Sequence, residues 1–482
     1  MEIGPLIRIV AAPLVLAAVA LAAWQSAENA DFEAVAGSRV EYEAHPDTPM
    51  LSARRIPQTL QAPVSDDILA VTLTSTIESY AGQSCLTVVL GQRDLEPMSD
   101  PDGGLVPASN QKLLTTFAAL DVLGPDFVFT TTVRTADPFV SGIVDGDLYL
   151  VGDGDPFLTT DDWMDQYDEL NGRTRTRLED LADAVVTAGV TEVTGAIVGD
   201  ESLYDSERYG PWDSRLIVQK QSGPLSALTV NEGFVEWPAQ FLDSFRPRSE
   251  TDDPPRHAAA VFTELLEQRG VNVVGPAAAG VVPGGSAVVA DISSPPLSDI
   301  ITHVNSYSSN LGAELLLKRL GLARAGEGST AAGAAAVREV LNERGVSLDD
   351  VVIDDGSGLA ESNRLTCQAL TDVLSVAEAD STLAQSLSIT GERGSLAERF
   401  IDTPVEGQVY AKTGTLLGVR ALSGYAVPAD EDNALSFAYI INDPEIVGDA
   451  QLEPQEALLR ALIRYPEGPT LEELSPLPAA VE

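Results

Sequence analysis

Lysine is almost absent from this chain. There are four in 482 residues, at Lys112, Lys220, Lys318 and Lys412, against 25 arginines. Basic side chains total 29 against 73 acidic ones, a formal net charge of −44. A chain so poor in cations does not suit nucleic acid or an anionic membrane surface as partner, since both are gripped by Lys and Arg. Histidine is scarcer still, and His45, His257 and His303 are too scattered for a metal cluster. No metal or organic cofactor is expected. The only cysteines are Cys85 and Cys367. Nothing in the sequence says that they meet, and Cys85, opening the apolar run Cys85–Leu90, reads as a small buried hydrophobe.

Long apolar runs are also scarce. The one that stands out is Ile9–Ala23, 15 residues, preceded by Arg8 and followed by Trp24. It fits the core of a secretory signal and is short for a bilayer span. Gln25-Ser26-Ala27 is a poor cleavage site, so residues 1–27 read as a signal peptide or an uncleaved anchor. No cysteine follows, which excludes lipoprotein processing. The body of the protein is expected outside the cytoplasmic membrane in either case. Residues 28–64 read as an extended spacer and 467–482, rich in Pro and Glu, as a loose tail.

What is present is a globular composition, 44% hydrophobic and 21% charged, in a chain long enough for two or three domains. A helix is expected over 65–80 and a strand over 85–92. A second helix runs from near Ser109 to Gly124, burying Leu113, Phe117, Leu120 and Leu123. From 129 to 289 the pattern changes to short strands cut by Gly and Asp turns, with a hairpin at 144–151 and a strand at 193–198. Helices are expected at 178–188 and 258–270. This stretch reads as a β-rich insertion with a core of its own, splitting a main domain of residues 65–128 and 290–466. In that domain 311–320 reads as an amphipathic helix. Residues 331–344 and 367–377 are helices too, 409–413, 422–427 and 435–441 adjacent antiparallel strands, and 456–465 a closing helix. The Asp-x-Asp spacing in Gly152-Asp153-Gly154-Asp155 lacks the glutamate that closes a calcium loop.

Two of the four lysines fall in patterned settings. Ser109 lies three residues before Lys112, at the start of a helical run, so hydroxyl and amine share a face. That pairing suits a serine nucleophile whose proton is taken by a lysine. Lys412 opens Lys412-Thr413-Gly414, and Ser308-Ser309-Asn310 lies between, with 195 residues intervening after Lys112. Singly these have bland readings: Ser109 as a helix cap, Ser308 and Asn310 as turn residues, Lys412 as an edge-strand charge.

In order, the three elements resemble the active site of the serine penicillin-binding proteins and β-lactamases. The flanks Pro295–Ile300, Ser309–Glu314, Asp355-Gly356-Ser357-Gly358-Leu359, Gly394-Ser395-Leu396 and Ala411–Leu416 resemble one family in particular. So do Gly154-Asp155-Pro156 and Pro224–Glu232. It is the D-alanyl-D-alanine carboxypeptidase/endopeptidase group, the class C low-molecular-mass penicillin-binding proteins, and the resemblance covers about residues 66 to 465. It implies an α/β (α+β) transpeptidase-type domain, an antiparallel sheet flanked by helices, carrying a large β-rich insertion. It implies an acyl-enzyme on Ser109, with Lys112 as base, Ser308 as proton relay and Asn310 orienting both Lys112 and the substrate amide. A second cation, Lys412, is expected to help burial push the Lys112 pKa down.

Lys412, with the hydroxyls of Thr413 and Thr415, would hold the terminal carboxylate of the substrate. Gly414, Leu416 and Ser357 are also placed against the substrate, and the backbone N–H groups of Ser109 and Thr415 form the oxyanion hole. The implied partners are peptidoglycan stem peptides, with β-lactam antibiotics as inhibitors. Where related sequences often carry a serine and an arginine after Ser357-Gly358-Leu359, this chain has Ala360 and Glu361, which opens the side-chain preference. Asp200 and Tyr204 are further candidates for the side-chain pocket. A serine β-lactamase or esterase on the same scaffold and a non-catalytic cell-wall binder are the rival readings.

Overall fold

The computed structural model describes residues 57–78, 82–91, 93–99, 104–136, 140–165, 173–236, 249–428, 434–445 and 452–466. The signal or anchor at 1–27, most of the spacer and the tail at 467–482 lie outside the described residues. The chain begins with α1 (Pro57–Glu78), β1 (Gln83–Leu90) and β2 (Arg93–Ser99), then a 3-10 turn, Ala108–Asn110, leading into α2 (Gln111–Leu123). Helix α1 therefore starts inside the expected spacer. Next come β3 (Thr130–Thr135), β4 (Leu148–Val151), α3 (Leu178–Thr187), β5 (Ile197–Asp200), α4 (Pro254–Gln268), β6 (Ala278–Ala279) and β7 (Ala287–Ser293). Helices α5 (Leu297–Ser306), α6 (Asn310–Ala325), α7 (Thr330–Glu343) and α8 (Cys367–Ala377) follow. The chain closes with β8 (Ser388–Ile389), β9 (Val409–Leu416), β10 (Val419–Ala426), β11 (Leu435–Asn442) and α9 (Leu452–Leu462).

The main sheet has six strands in the order β8-β9-β10-β11-β1-β2, paired antiparallel. Strand side chains alternate between faces, and here both faces are covered. From β10, Ala421 and Tyr425 enter a core with α2, α5, α6, α7 and α8, while Leu422 and Ala426 enter a second core with α1 and α9. Every residue of β10 is buried as a result.

Helix α2 is enclosed over its first nine residues, Gln111 to Ala119, and α6 is buried from Leu311 to Lys318. The amphipathic pattern expected for α6 is therefore not what forms: it is a central helix with neighbours on nearly every side. Cys85 on β1 and Cys367 at the start of α8 are joined by a disulfide, Cα to Cα 5.8 Å. They are buried, as the sequence suggested for Cys85, but as a covalent tie between sheet and helix.

A five-stranded sheet in the order β6-β5-β4-β3-β7 packs on α3 and α4 around Val133, Leu148, Leu181, Val185 and Phe262. The hairpin expected at 144–151 does not form. Val144 pairs in parallel with Val193 in a separate small sheet, whereas β4 pairs in parallel with β5. The strand expected at 193–198 is split the same way. Asp147 explains the break, because its Oδ1 accepts from Ala196 N at 2.8 Å and spends the turn side chain on the neighbouring strand.

Candidate active site

Three contacts, one between side chains and two at glycines, fix the turn that carries Ser109. Asn110 Nδ2 donates to Ser423 Oγ on β10 at 2.9 Å. Gly414 of β9 has no room for a side chain, as a Cβ there would stand 2.9 Å from the Pro107 carbonyl and from Ala421 Cβ. Gly358 (φ +82°) is closer still, since its Cβ would come within 1.9 Å of the Ala108 carbonyl. The 3-10 turn continues into α2 without a side-chain cap from Asn110 or Pro107. This puts Ser109, half-buried, and Lys112, fully buried, on one face.

The Lys112 amine donates to Ser109 Oγ at 3.0 Å, to Asn310 Oδ1 at 2.7 Å and to the Ser357 carbonyl at 2.7 Å. Burial brings its pKa down to about 7, while the nearby Asp355 and Glu314 carboxylates pull the other way. Those carboxylates are themselves buried and fully engaged in holding the loop behind the site. Asp355 accepts from Gly358 N (2.8 Å), Ala360 N (2.7 Å), Asn363 Nδ2 (2.7 Å) and Trp212 Nε1 (3.0 Å). Glu314 accepts from Gly356 N and Ser357 N, and burial together with Asp355 raises its pKa.

Asn310 opens α6, whose N-cap Ser309 accepts from Gly312 N at 3.1 Å. Its Oδ1 faces Lys112, and its Nδ2 donates to the Gln221 carbonyl at 2.7 Å. Ser308 precedes it in a left-handed conformation, φ +60°, lining a cleft with Lys220, Gln221, Trp163 and Tyr307. Among the described residues Ser308 Oγ makes no hydrogen bond to Lys112 or Ser109. Lys412 is buried on β9 with its amine 3.0 Å from the Thr413 carbonyl. Burial holds its pKa well below the usual lysine range, and the Lys112 charge pushes it further down. Thr413 Oγ1 is 2.7 Å from Ser395 Oγ, which is 3.1 Å from Ser388 Oγ. Thr415 is exposed and Leu416 half-buried at the same strand end.

Three expectations change. Ser357 is fully buried, with its hydroxyl turned to Asp355; what it offers the site is its carbonyl to Lys112, not a substrate contact. Asp200 is buried and capped by Ser202 N and Val282 N. Tyr204 is packed with Trp212, Leu311 and Leu359; neither side chain lines the cleft beside Ser308. Glu361 is exposed and ion-paired with Arg215 at 2.9 Å. Residues that the sequence reading left without a role are Glu314, Asp355, Gln221, Trp212 and Ser395. Glu314, Asp355 and Ser395 stand inside the quoted flanks, whereas Gln221 and Trp212 carry no local signal.

With this geometry in hand, comparison with known proteins is specific. The sequence signature of the D-Ala-D-Ala carboxypeptidase 3 (S13) family matches residues 90–241 and 243–463. The D-alanyl-D-alanine carboxypeptidase of Actinomadura sp. is 33% identical over 462 residues, spanning 79% of this chain and 82% of its own. Carboxypeptidase DacB of Mycolicibacterium smegmatis is 29% identical, over 74% of this chain and 75% of its own. The fold is that of penicillin binding protein 4 from Haemophilus influenzae, with TM-score 0.67 and 20% identity over 81% of this chain and 98% of that one. The Haemophilus protein has also been solved with a β-lactam bound (TM-score 0.60, 21% identity, 81% and 98% covered). The chain belongs to the D-Ala-D-Ala carboxypeptidase 3 (S13) family of serine peptidases.

Proposed function

We propose that this chain is a serine-type D-Ala-D-Ala carboxypeptidase that works through an acyl-enzyme on Ser109. The observation that carries the reading is the buried Lys112 amine, 3.0 Å from the Ser109 hydroxyl and held there by Asn310 and the Ser357 carbonyl. With a pKa brought to about 7, Lys112 is available as a neutral base near neutral pH. It takes the Ser109 proton as Oγ attacks the carbonyl between the two D-alanines. The C–N bond breaks, the terminal D-alanine leaves with the proton returned from Lys112 through Ser308, and an ester to Ser109 remains. Water then hydrolyses that ester, with Lys112 again as base.

Lys412 and the hydroxyls of Thr413 and Thr415 receive the substrate's terminal carboxylate, which would restore the charged form that burial disfavours in Lys412. Asn310 Nδ2 retains one hydrogen for the substrate amide, and the N–H groups of Ser109 and Thr415 face the oxyanion. A β-lactam, a cyclic amide with a carboxylate, suits the same groups, and the β-lactam complex of the Haemophilus protein supports this.

The substrates are peptidoglycan stem peptides, and a crosslink ending on D-Ala would offer the same amide to an endopeptidase reaction. Action outside the cytoplasmic membrane is supported by the apolar run Ile9–Ala23 and by the disulfide. An insertion at about 129–289 is supported by the separate sheet and core there. The reading is tested by D-alanine release from a peptide ending in D-Ala-D-Ala. Wild type should release it and Ser109→Ala should not; equal release by both would overturn the assignment.

A further inference from the structure

The asparagine of the second motif is gripped from behind. While Asn310 Oδ1 faces Lys112, its Nδ2 is held by the Gln221 carbonyl at 2.7 Å. Gln221 follows Lys220 at the end of a short helix, Ser214–Val218. The ending is a Schellman turn, with Lys220 N donating to Ile217 O at 2.9 Å and Gln221 N to Leu216 O at 3.1 Å. Lys220 occupies its left-handed position, φ +55°, where glycine or asparagine is the ordinary choice and a lysine backbone is strained. One of only four lysines in the chain sits where a lysine is least suited, so its side chain must supply what the backbone loses. The Lys220 ammonium is ion-paired with Glu250, the two side chains only 22% and 15% exposed. Glu250 in turn accepts from Tyr209 OH at 2.8 Å.

We propose that Lys220 is a positioning residue of the acyl-transfer site: paired with Glu250, it fixes the Gln221 carbonyl against Asn310, and through Asn310 aims the Lys112 amine at Ser109. The inference rests on the serine-peptidase reading above. Lys220 touches neither reacting atom, and its effect passes through one carbonyl and one amide. The charged groups around the Lys112 amine are Asp355, Glu314 and, pushed down by its charge, Lys412. None of them is altered by changing Lys220.

Lys220→Gly separates the two roles that a lysine could have here. It relieves the strained turn while deleting the ammonium, so a residue that merely shapes the turn predicts wild-type or higher thermal stability and unchanged acylation. The positioning role predicts acylation by benzylpenicillin at least about tenfold slower, because small misplacements of reacting groups are expensive. It also predicts that the acid limb of the rate against pH moves to lower pH. Asn310 Oδ1 is an acceptor that favours the charged form of Lys112, and loosening it lets the amine lose its proton more easily. Glu250→Gln should behave like Lys220→Gly, and Lys220→Arg should restore most of the rate. Wild-type acylation in Lys220→Gly, or slowing with an unmoved acid limb, would overturn the inference alone. A wild type that forms no acyl-enzyme would overturn the peptidase reading and this inference with it.

Discussion

The Ser357 carbonyl accepts a hydrogen bond from Lys112 Nζ at 2.7 Å, so the amine is aimed by a loop 245 residues downstream as well as by its own helix. That loop is fastened by two buried carboxylates, Asp355 and Glu314. The same carboxylates oppose the burial that brings the Lys112 pKa down. The geometry and the charge state of Lys112 are thus set by one cluster.

The acylation rate should rise with pH through about 7, because Lys112 must be neutral to accept the Ser109 proton and its pKa lies there. Rapid-quench acylation across the pH range measures this. Lys112→Ala should lose a factor of roughly 10²–10⁴ and lose that limb altogether. A flat profile in the wild type would contradict the base assignment.

Gly358→Ala should both destabilise the protein and abolish acylation. The position demands φ +82°, and the added Cβ would meet the Ala108 carbonyl at 1.9 Å, next to Ser109. The backbone conformation alone costs a non-glycine residue about 1–3 kcal/mol. Thermal unfolding and penicillin binding would show both losses; a variant with wild-type behaviour in either would contradict the packing described here.

Ser395→Ala should raise KM for substrates ending in a carboxylate by several-fold while changing kcat less. Ser395 Oγ is 2.7 Å from Thr413 Oγ1 and orders the hydroxyl proposed to receive the substrate carboxylate. A typical hydrogen bond of this kind contributes about 0.5–1.5 kcal/mol. Steady-state D-alanine release gives both constants.

The bridge Cys85–Cys367 should leave no titratable thiol in unfolded, unreduced protein. Replacing both cysteines with alanine should lower stability by about 2–5 kcal/mol. Thiol counting and chemical denaturation check the two statements separately.

The sequence made the proposed reacting groups legible and not their supports. Ser109 with Lys112, and Lys412 with Gly414, are legible because short spacings on a helix or strand dictate who shares a face. Asn310 is legible only through its place between those motifs. What brings it to Lys112 is the packing of α6 on α2, which no local pattern encodes. Trp212 and Gln221 reach the site across more than 80 residues of sequence, so nothing near them in sequence reveals the contact. Ser357 differs for a related reason: in Asp355-Gly356-Ser357-Gly358 the side chain looks like the functional part, whereas the fold buries it and presents the carbonyl to Lys112. The hairpin expected at 144–151 failed because alternation and turn residues are shared by hairpins and by strands that pair in parallel with a distant segment. The disulfide is invisible to spacing, since 282 residues separate the two cysteines.

The central claim is that Ser109 is the residue acylated, with Lys112 as its base. Intact-protein mass spectrometry after brief exposure to benzylpenicillin, with Ser109→Ala beside the wild type, tests it most directly. A long-lived adduct of one penicilloyl group on the wild type, mapped to the peptide containing Ser109 and missing from Ser109→Ala, is the predicted result. An adduct on Ser109→Ala, or none on a folded wild type, would contradict the account.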